Sequence, residues 1–332
     1  MSATPPMDRL AGILDNFRFR AQLYHSGPLC GLTHFDAGQG HAFLHVLRRG
    51  QLEVSHPGRR DLPERMHFDV PSLLFYPRPL THRFHNPPRD GADFTCARLD
   101  VGDHAFAELG MGDQRAELDR RRFDGGMAHP LVRGLPPLVA LPLDRVPGLA
   151  LSLELLFAET DQARCGQRLL TDRLFEVVVI QLLRWLLDHP EEAGIRPGFI
   201  TGLSEPRLAR ALVAMHDTPG HPWTLARMAE RAGMSRTAFA NTFRAWVGQT
   251  PADYLTDWRI ALAQRDLRRG RPITALAEEL GYANASALSR AFAAKVGASP
   301  RDWMKQVRHA HQAAPGPDAD PAAWDGQGCP GA

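Results

Sequence analysis

Asparagine pairs bidentately with adenine and arginine with guanine, each pair supplying about 1–3 kcal/mol of discrimination between bases. Asn241 and Arg290 stand in two stretches of this chain that resemble one another. Helical spacing gives Asn241 the neighbours Thr237 and Ala240 on one face, and gives Arg290 the neighbours Ser286 and Ser289. Arg236 and Arg244 flank the first set and are placed for phosphate oxygens. A solvated helix face has a similar composition, so repetition of the whole unit carries the reading.

That repetition is explicit. Leu225 to Gly233 resembles Ile273 to Gly281 at an offset of 48, and the match resumes at 49, pairing Phe243 with Phe292, Gly248 with Gly297 and Pro251 with Pro300. Each copy reads as helix, tight turn, helix. Thr224, Ser235 and Asn284 are good N-caps, and Gly233 and Gly281 can adopt the left-handed conformation that stops a helix. The second helices bury Phe239, Phe243 and Trp246 or Val247 in one copy and Leu288, Phe292 and Val296 in the other. Both copies close with Gly-x-[Ser/Thr]-Pro, which sets Thr250 and Ser299 at helix starts whose free N–H groups suit a phosphate. Residues 252–268 between them read as one helix roughly 25 Å long. It can hold the two second helices at a separation comparable to one DNA turn, about 34 Å.

The duplicated segment, Leu225 to Arg308, resembles the DNA-binding domain of AraC/XylS-family transcription regulators. The resemblance implies a bipartite helix-turn-helix domain joined to an effector or oligomerisation domain, acting as an activator. It assigns the base-facing places to Thr237, Ala240, Asn241, Ser286, Ser289 and Arg290. The implied partners are double-stranded promoter DNA, RNA polymerase, a small-molecule effector and a second copy of the chain.

Charge follows the same division. Residues 205–308 carry 16 Lys and Arg against 9 Asp and Glu, whereas the remainder carries 23 against 28. A basic third on an acidic remainder is the electrostatic footprint of a nucleic-acid-binding module joined to something else. No apolar run reaches the roughly 18 residues of a membrane span, and the N-terminus lacks a secretory signal, so a cytoplasmic location is expected.

The fold expected is α+β in two domains. Residues 1–146 carry short β-like runs, beginning with the alternation of Phe17, Phe19, Ala21 and Leu23, and resemble a cupin-like β-barrel sensor. Residues 147–190 read as two helices, the second greasy on more than one face, for packing or dimerisation. Residues 191–204 read as a linker, 205–308 as the helix-turn-helix domain, and 309–332 as a disordered tail.

In the sensor half, Asp69-x-Pro71-x5-Pro77-x4-His82-x3-Asn86 resembles the second cupin motif, while the first motif retains His45 without its usual partners. No metal and no cofactor is therefore expected. Cys30, His45, His82 and Cys96 are the effector or redox candidates, since a thiolate beside an imidazole is oxidisable. None of the four cysteines forms the short Cys-x2–4-Cys pair of a structural zinc site. The expected protein is a regulator and not an enzyme; the alternative is a cupin-type metal-dependent oxygenase fused to a DNA-binding module.

Overall fold

The computed structural model describes residues 7–17, 19–39, 41–86, 92–101, 132 and 134–313. Contacts gather these into two units: residues 19–101 with 135–189, built on sheets, and residues 7–17 with 132, 134 and 190–312, built of helices. The tail beyond residue 313 lies outside the described residues, and helix continues through Ala313.

In the sheet unit, nine described strands form two antiparallel sheets. Strands β1 (Phe19–Leu29), β8 (Ala92–Val101), β3 (Ala42–Arg49), β6 (Ser72–Tyr76) and β9 (Val139–Pro142) make one, in that order. Strands β2 (Gly31–Phe35), β7 (His82–Asn86), β4 (Leu52–Ser55) and β5 (Arg65–Phe68) make the other. This is the antiparallel, cupin-like architecture anticipated. Phe35, Phe43, Tyr76, Phe84 and Phe94 fill its interior. Ala42 to Leu47 on β3 are all buried, as a central strand covered on both faces requires.

Helices α2 (Ala150–Thr160) and α3 (Gln167–Asp188) follow. The Leu23 amide donates to Asp172 at 2.8 Å and ties β1 to α3. Arg48 reaches Asp161 through both guanidinium nitrogens, at 2.6 and 2.8 Å, and covers the Phe157 ring.

The helical unit contains α1 (Ala11–Asn16), α4 (Phe199–Ser204), α5 (Pro206–Asp217), α6 (Leu225–Ala232), α7 (Arg236–Val247), α8 (Pro251–Arg268), α9 (Ile273–Glu279), α10 (Ala285–Val296) and α11 (Pro300–Ala313). Two expected boundaries move. Residues 7–17 group with the helices and not with the sensor: Phe17 meets Trp258 edge-on at 5.2 Å, and Arg265 donates to Asn16. The β-like alternation therefore starts at Phe19, because Phe17 is occupied by an aromatic partner on α8.

Residues 199–204, read as linker, form a buried helix. A Cβ on Gly202 would stand 2.7 Å from Val247, so α4 lies against α7 closer than any larger residue would permit. Gly202 thus serves close packing and not an open connection.

Candidate nucleic-acid interface

Both second helices start and stop as their sequences dictate. The Ser235 hydroxyl accepts from the Ala238 amide at 3.3 Å, and Gly248 closes α7 at φ 78°. The Asn284 side-chain Oδ1 accepts from the Ala287 amide at 2.9 Å, and Gly297 closes α10 at φ 80°. Glycine has no Cβ to clash in this left-handed conformation.

The buried stripe of α7 is Phe239, Phe243 and Val247, and that of α10 is Leu288 and Phe292. Val296, expected to join it, is half-buried. Arg236, Thr237, Asn241 and Arg244 are exposed on the other side of α7, with Ala240 half-buried at its margin. On α10, Ser286 and Arg290 are exposed and Ser289 is half-buried. Arg236, Arg244 and Arg290 make no ion pair with any described residue. Their guanidinium groups stand in water, where an anion or a base edge can reach them.

Thr250 and Ser299 cap the helices they precede, as hydroxyls at helix starts do. Thr250 Oγ1 accepts from the Asp253 amide at 3.1 Å and donates to the Asp253 carboxylate at 2.6 Å. Ser299 repeats this with Asp302, at 3.2 and 2.6 Å. Each helix start thus carries a carboxylate, and each carboxylate has a lysine beside it, Lys295 at 3.8 Å from Asp253 and Lys305 at 3.8 Å from Asp302.

Several residues that brace the interface gave no motif. Arg259, on α8, donates to the Pro219 and His221 carbonyls at 2.7 and 3.1 Å. His216 Nε2 meets the Tyr254 hydroxyl at 2.6 Å in full burial, which lowers the His216 pKa to about 3. Lys295 pairs with Asp257 at 2.8 Å, joining α10 to α8. Their signal in the sequence is only a polar residue on an otherwise apolar helix face.

In the sheet unit, the β3–β8 register sets His45 directly opposite Cys96, and β7 brings His82 to the other edge of the His45 ring. Three of the four effector candidates therefore come together. Cys30 does not join them; it is buried and disulfide-bonded.

The protons in this chain follow from its end. His82 Nδ1 faces the Leu80 carbonyl at 2.7 Å, which can only accept, so Nδ1 carries the hydrogen. His82 Nε2 then accepts from His45 Nε2 at 3.0 Å, and His45 Nδ1 accepts from the Cys96 thiol at 3.0 Å. Burial holds both imidazoles neutral, lowering the His82 pKa to about 3 and that of His45 well below its usual value. The same burial pushes the Cys96 thiol up, away from the reactive thiolate. Cys96 and His82 meet opposite edges of His45, so the three donors do not converge on one point, and no described group of three such residues could hold a metal ion.

A sheet unit of cupin type joined to tandem capped helix-turn-helix units defines a DNA-binding transcription regulator. Profile matches agree: a cupin family covers residues 8–188 and a helix-turn-helix domain family covers 228–306. The chain is 33% identical over 312 residues to a protein of Streptomyces antibioticus described as an AraC-like transcription regulator, covering 90% of this chain and 99% of that one. A similarly described protein of Streptomyces lividans is 32% identical, covering 90% and 98%. Among solved structures, the DNA-binding domain of AdpA in complex with a target DNA aligns at 25% identity and TM-score 0.30, covering 32% of this chain and 96% of that one. The chain belongs to the AraC-like transcription regulators.

Proposed function

We propose that this regulator reads two half-sites on double-stranded DNA, one with α7 and one with α10. Asn241 and Arg290 are the principal base readers, with Thr237, Ala240, Ser286 and Ser289 beside them; Arg236 and Arg244 hold phosphates. Thr250 and Ser299 act as helix caps. The observation that carries this reading is the pair of matching helices, each apolar on its buried side, with Arg236, Arg244 and Arg290 exposed and lacking a described ion-pair partner. The protein works in the cytoplasm as an activator in contact with RNA polymerase. The sheet unit binds a small-molecule effector or senses a chemical stress and performs no catalysis.

The functional assembly is a homodimer formed through α2 and α3. These two helices carry Leu151, Leu155, Leu169, Leu170 and Val177, five of the ten large hydrophobics exposed among the described residues. Such a concentration on one hairpin is the mark of an association surface. A second copy offers the same helices, as a two-fold interface requires.

Selection from a random-sequence duplex pool with the full chain tests the DNA reading, which expects a bipartite motif and fails if no duplex is enriched. Sedimentation of the Leu155→Glu, Leu170→Glu double variant tests the assembly: a monomer is expected, and an unchanged dimer would refute the surface.

A further inference from the structure

The loop entering the first helix-turn-helix unit lies against the turn of the second. Gly220, between α5 and α6, is packed so closely that a Cβ there would overlap the carbonyl oxygen of Glu279. Gly281, in the turn between α9 and α10, has φ 74°, and a Cβ on it would stand 2.6 Å from the Gly220 carbonyl oxygen and 2.9 Å from Arg259 Nη2. Backbone meets backbone here with nothing compressible between.

Arg259 fastens the seam from α8. Its Nε and Nη2 hold the carbonyls of Pro219 and His221 on the first unit's loop, while its guanidinium lies 5.6 Å from the centre of the Tyr282 ring on the second unit's turn. One side chain on the connecting helix thus grips both units. Glu279, whose carbonyl faces Gly220, is itself held by Arg271 at the start of α9.

We propose that the Gly220, Glu279, Gly281 and Arg259 seam sets the relative phase of the two recognition helices, and so selects operators by the separation of their half-sites. The inference rests on the bipartite DNA reading given above. Two helices that read one face of a duplex must match its repeat of about 10–10.5 base pairs, and each inserted pair moves and rotates the second half-site. A pair of loosely joined units would follow that movement. Units locked through backbone contact cannot, and the mismatch appears as lost affinity. Arg259 acts here as a positioning residue without reading a base.

The test uses duplexes recovered by the full chain from the random-sequence pool, with zero, one or two base pairs inserted between the half-sites. The unaltered protein is expected to lose about tenfold in affinity per inserted pair, comparable to a base mismatch. Arg259→Met removes the two carbonyl contacts and keeps the helix face; it should reduce that penalty to about threefold or less while the base preferences within each half-site persist. Arg259→Lys, which retains a cationic donor, should fall between. Tyr282→Leu releases only the second unit's end of the grip and gives the same flattening if Arg259→Met does not fold. An unchanged spacing penalty in the variants overturns the proposal. So does an equal loss at all spacings, which a merely structural role would give. A bipartite motif with no spacing preference in the unaltered protein overturns the seam alone, whereas failure to enrich any duplex overturns the DNA reading beneath it.

Discussion

In the first helix-turn-helix unit, Phe239 and Phe243 lie 5.5 Å apart, Phe243 meets Tyr254 edge-on at 5.7 Å, and Val247 closes on Gly202. In the second, Phe292 meets Trp303 at 5.5 Å, and ion pairs supplement it: Arg271 bridges Asp266 and Glu279, and Lys295 reaches Asp257. No side chain of α6 or α7 enters an ion pair among the described residues. Two copies of one motif are thus braced differently. Apolar burial is insensitive to salt, whereas exposed ion pairs are screened within a Debye length of about 10 Å at 0.1 M. The second unit is thus the one whose bracing includes an exposed, salt-sensitive pair, Arg271 with Glu279.

The comparison can be attacked most strongly at Phe243. Phe243→Ala should lower the unfolding free energy of the helical unit by about 3–5 kcal/mol, measured by denaturant titration, because the cavity opens in a fully buried stack. A loss below about 1 kcal/mol would mean that aromatic packing does not brace the first unit.

Acid separates the two units of the chain. His45 and His82 in the sheet unit and His216 in the helical unit have folded pKa values below the ordinary 6.5, so the unfolded chain binds protons first as pH falls. Their contribution to stability is complete above about pH 6.5 and is lost on acidification toward about pH 3, at about 1.4 kcal/mol per pH unit for each imidazole. His25 and His56 of the sheet unit are lowered by burial as well, so with four such described imidazoles against one the sheet unit should lose stability on this account more steeply. Hydrogen exchange at the backbone amides of each unit, recorded between pH 7 and 5, would show it; equal slopes would contradict the protonation chain.

On the recognition faces, Arg290→Ala should cost about 1–3 kcal/mol at one base position. Arg244→Ala should weaken all sequences alike and lower the slope of log affinity against log salt by about one. Titrations on matched and mismatched duplexes distinguish these outcomes. Lys295→Ala is the smallest change: removal of a partly exposed pair should cost less than about 1 kcal/mol at 0.05 M salt and nothing measurable at 0.5 M.

The helical unit was largely legible because its signals are local. Caps, stop glycines and apolar stripes lie within a few residues of what they control, and α7 and α10 begin and end where Ser235, Gly248, Asn284 and Gly297 place them. The sheet unit was read less completely. On β7 the buried positions include His82 and Asn86, and on β2 Leu32 is exposed while Thr33 is buried, so hydrophobic alternation is absent or inverted. Strand β5, Arg65–Phe68, is a short edge strand whose apolar positions, Met66 and Phe68, are only half-buried.

The candidate site divides in the same way. The faces carrying Asn241 and Arg290 could be read from periodicity and the Thr250 and Ser299 caps from the Gly-x-[Ser/Thr]-Pro pattern, but the second bond that each hydroxyl gives to Asp253 or Asp302 could not. The Gly220 to Gly281 approach joins residues 61 positions apart, and no spacing rule reports such a contact.

The decisive measurement is a base-by-base substitution scan of a selected duplex, made with the unaltered protein, Asn241→Ala and Arg290→Ala. Each variant is expected to lose preference at its own position, the two lying in half-sites about one helical turn apart, with all other preferences retained. Uniform loss by both variants at every position, or loss at one shared position, would contradict the claim that α7 and α10 read separate stretches of DNA.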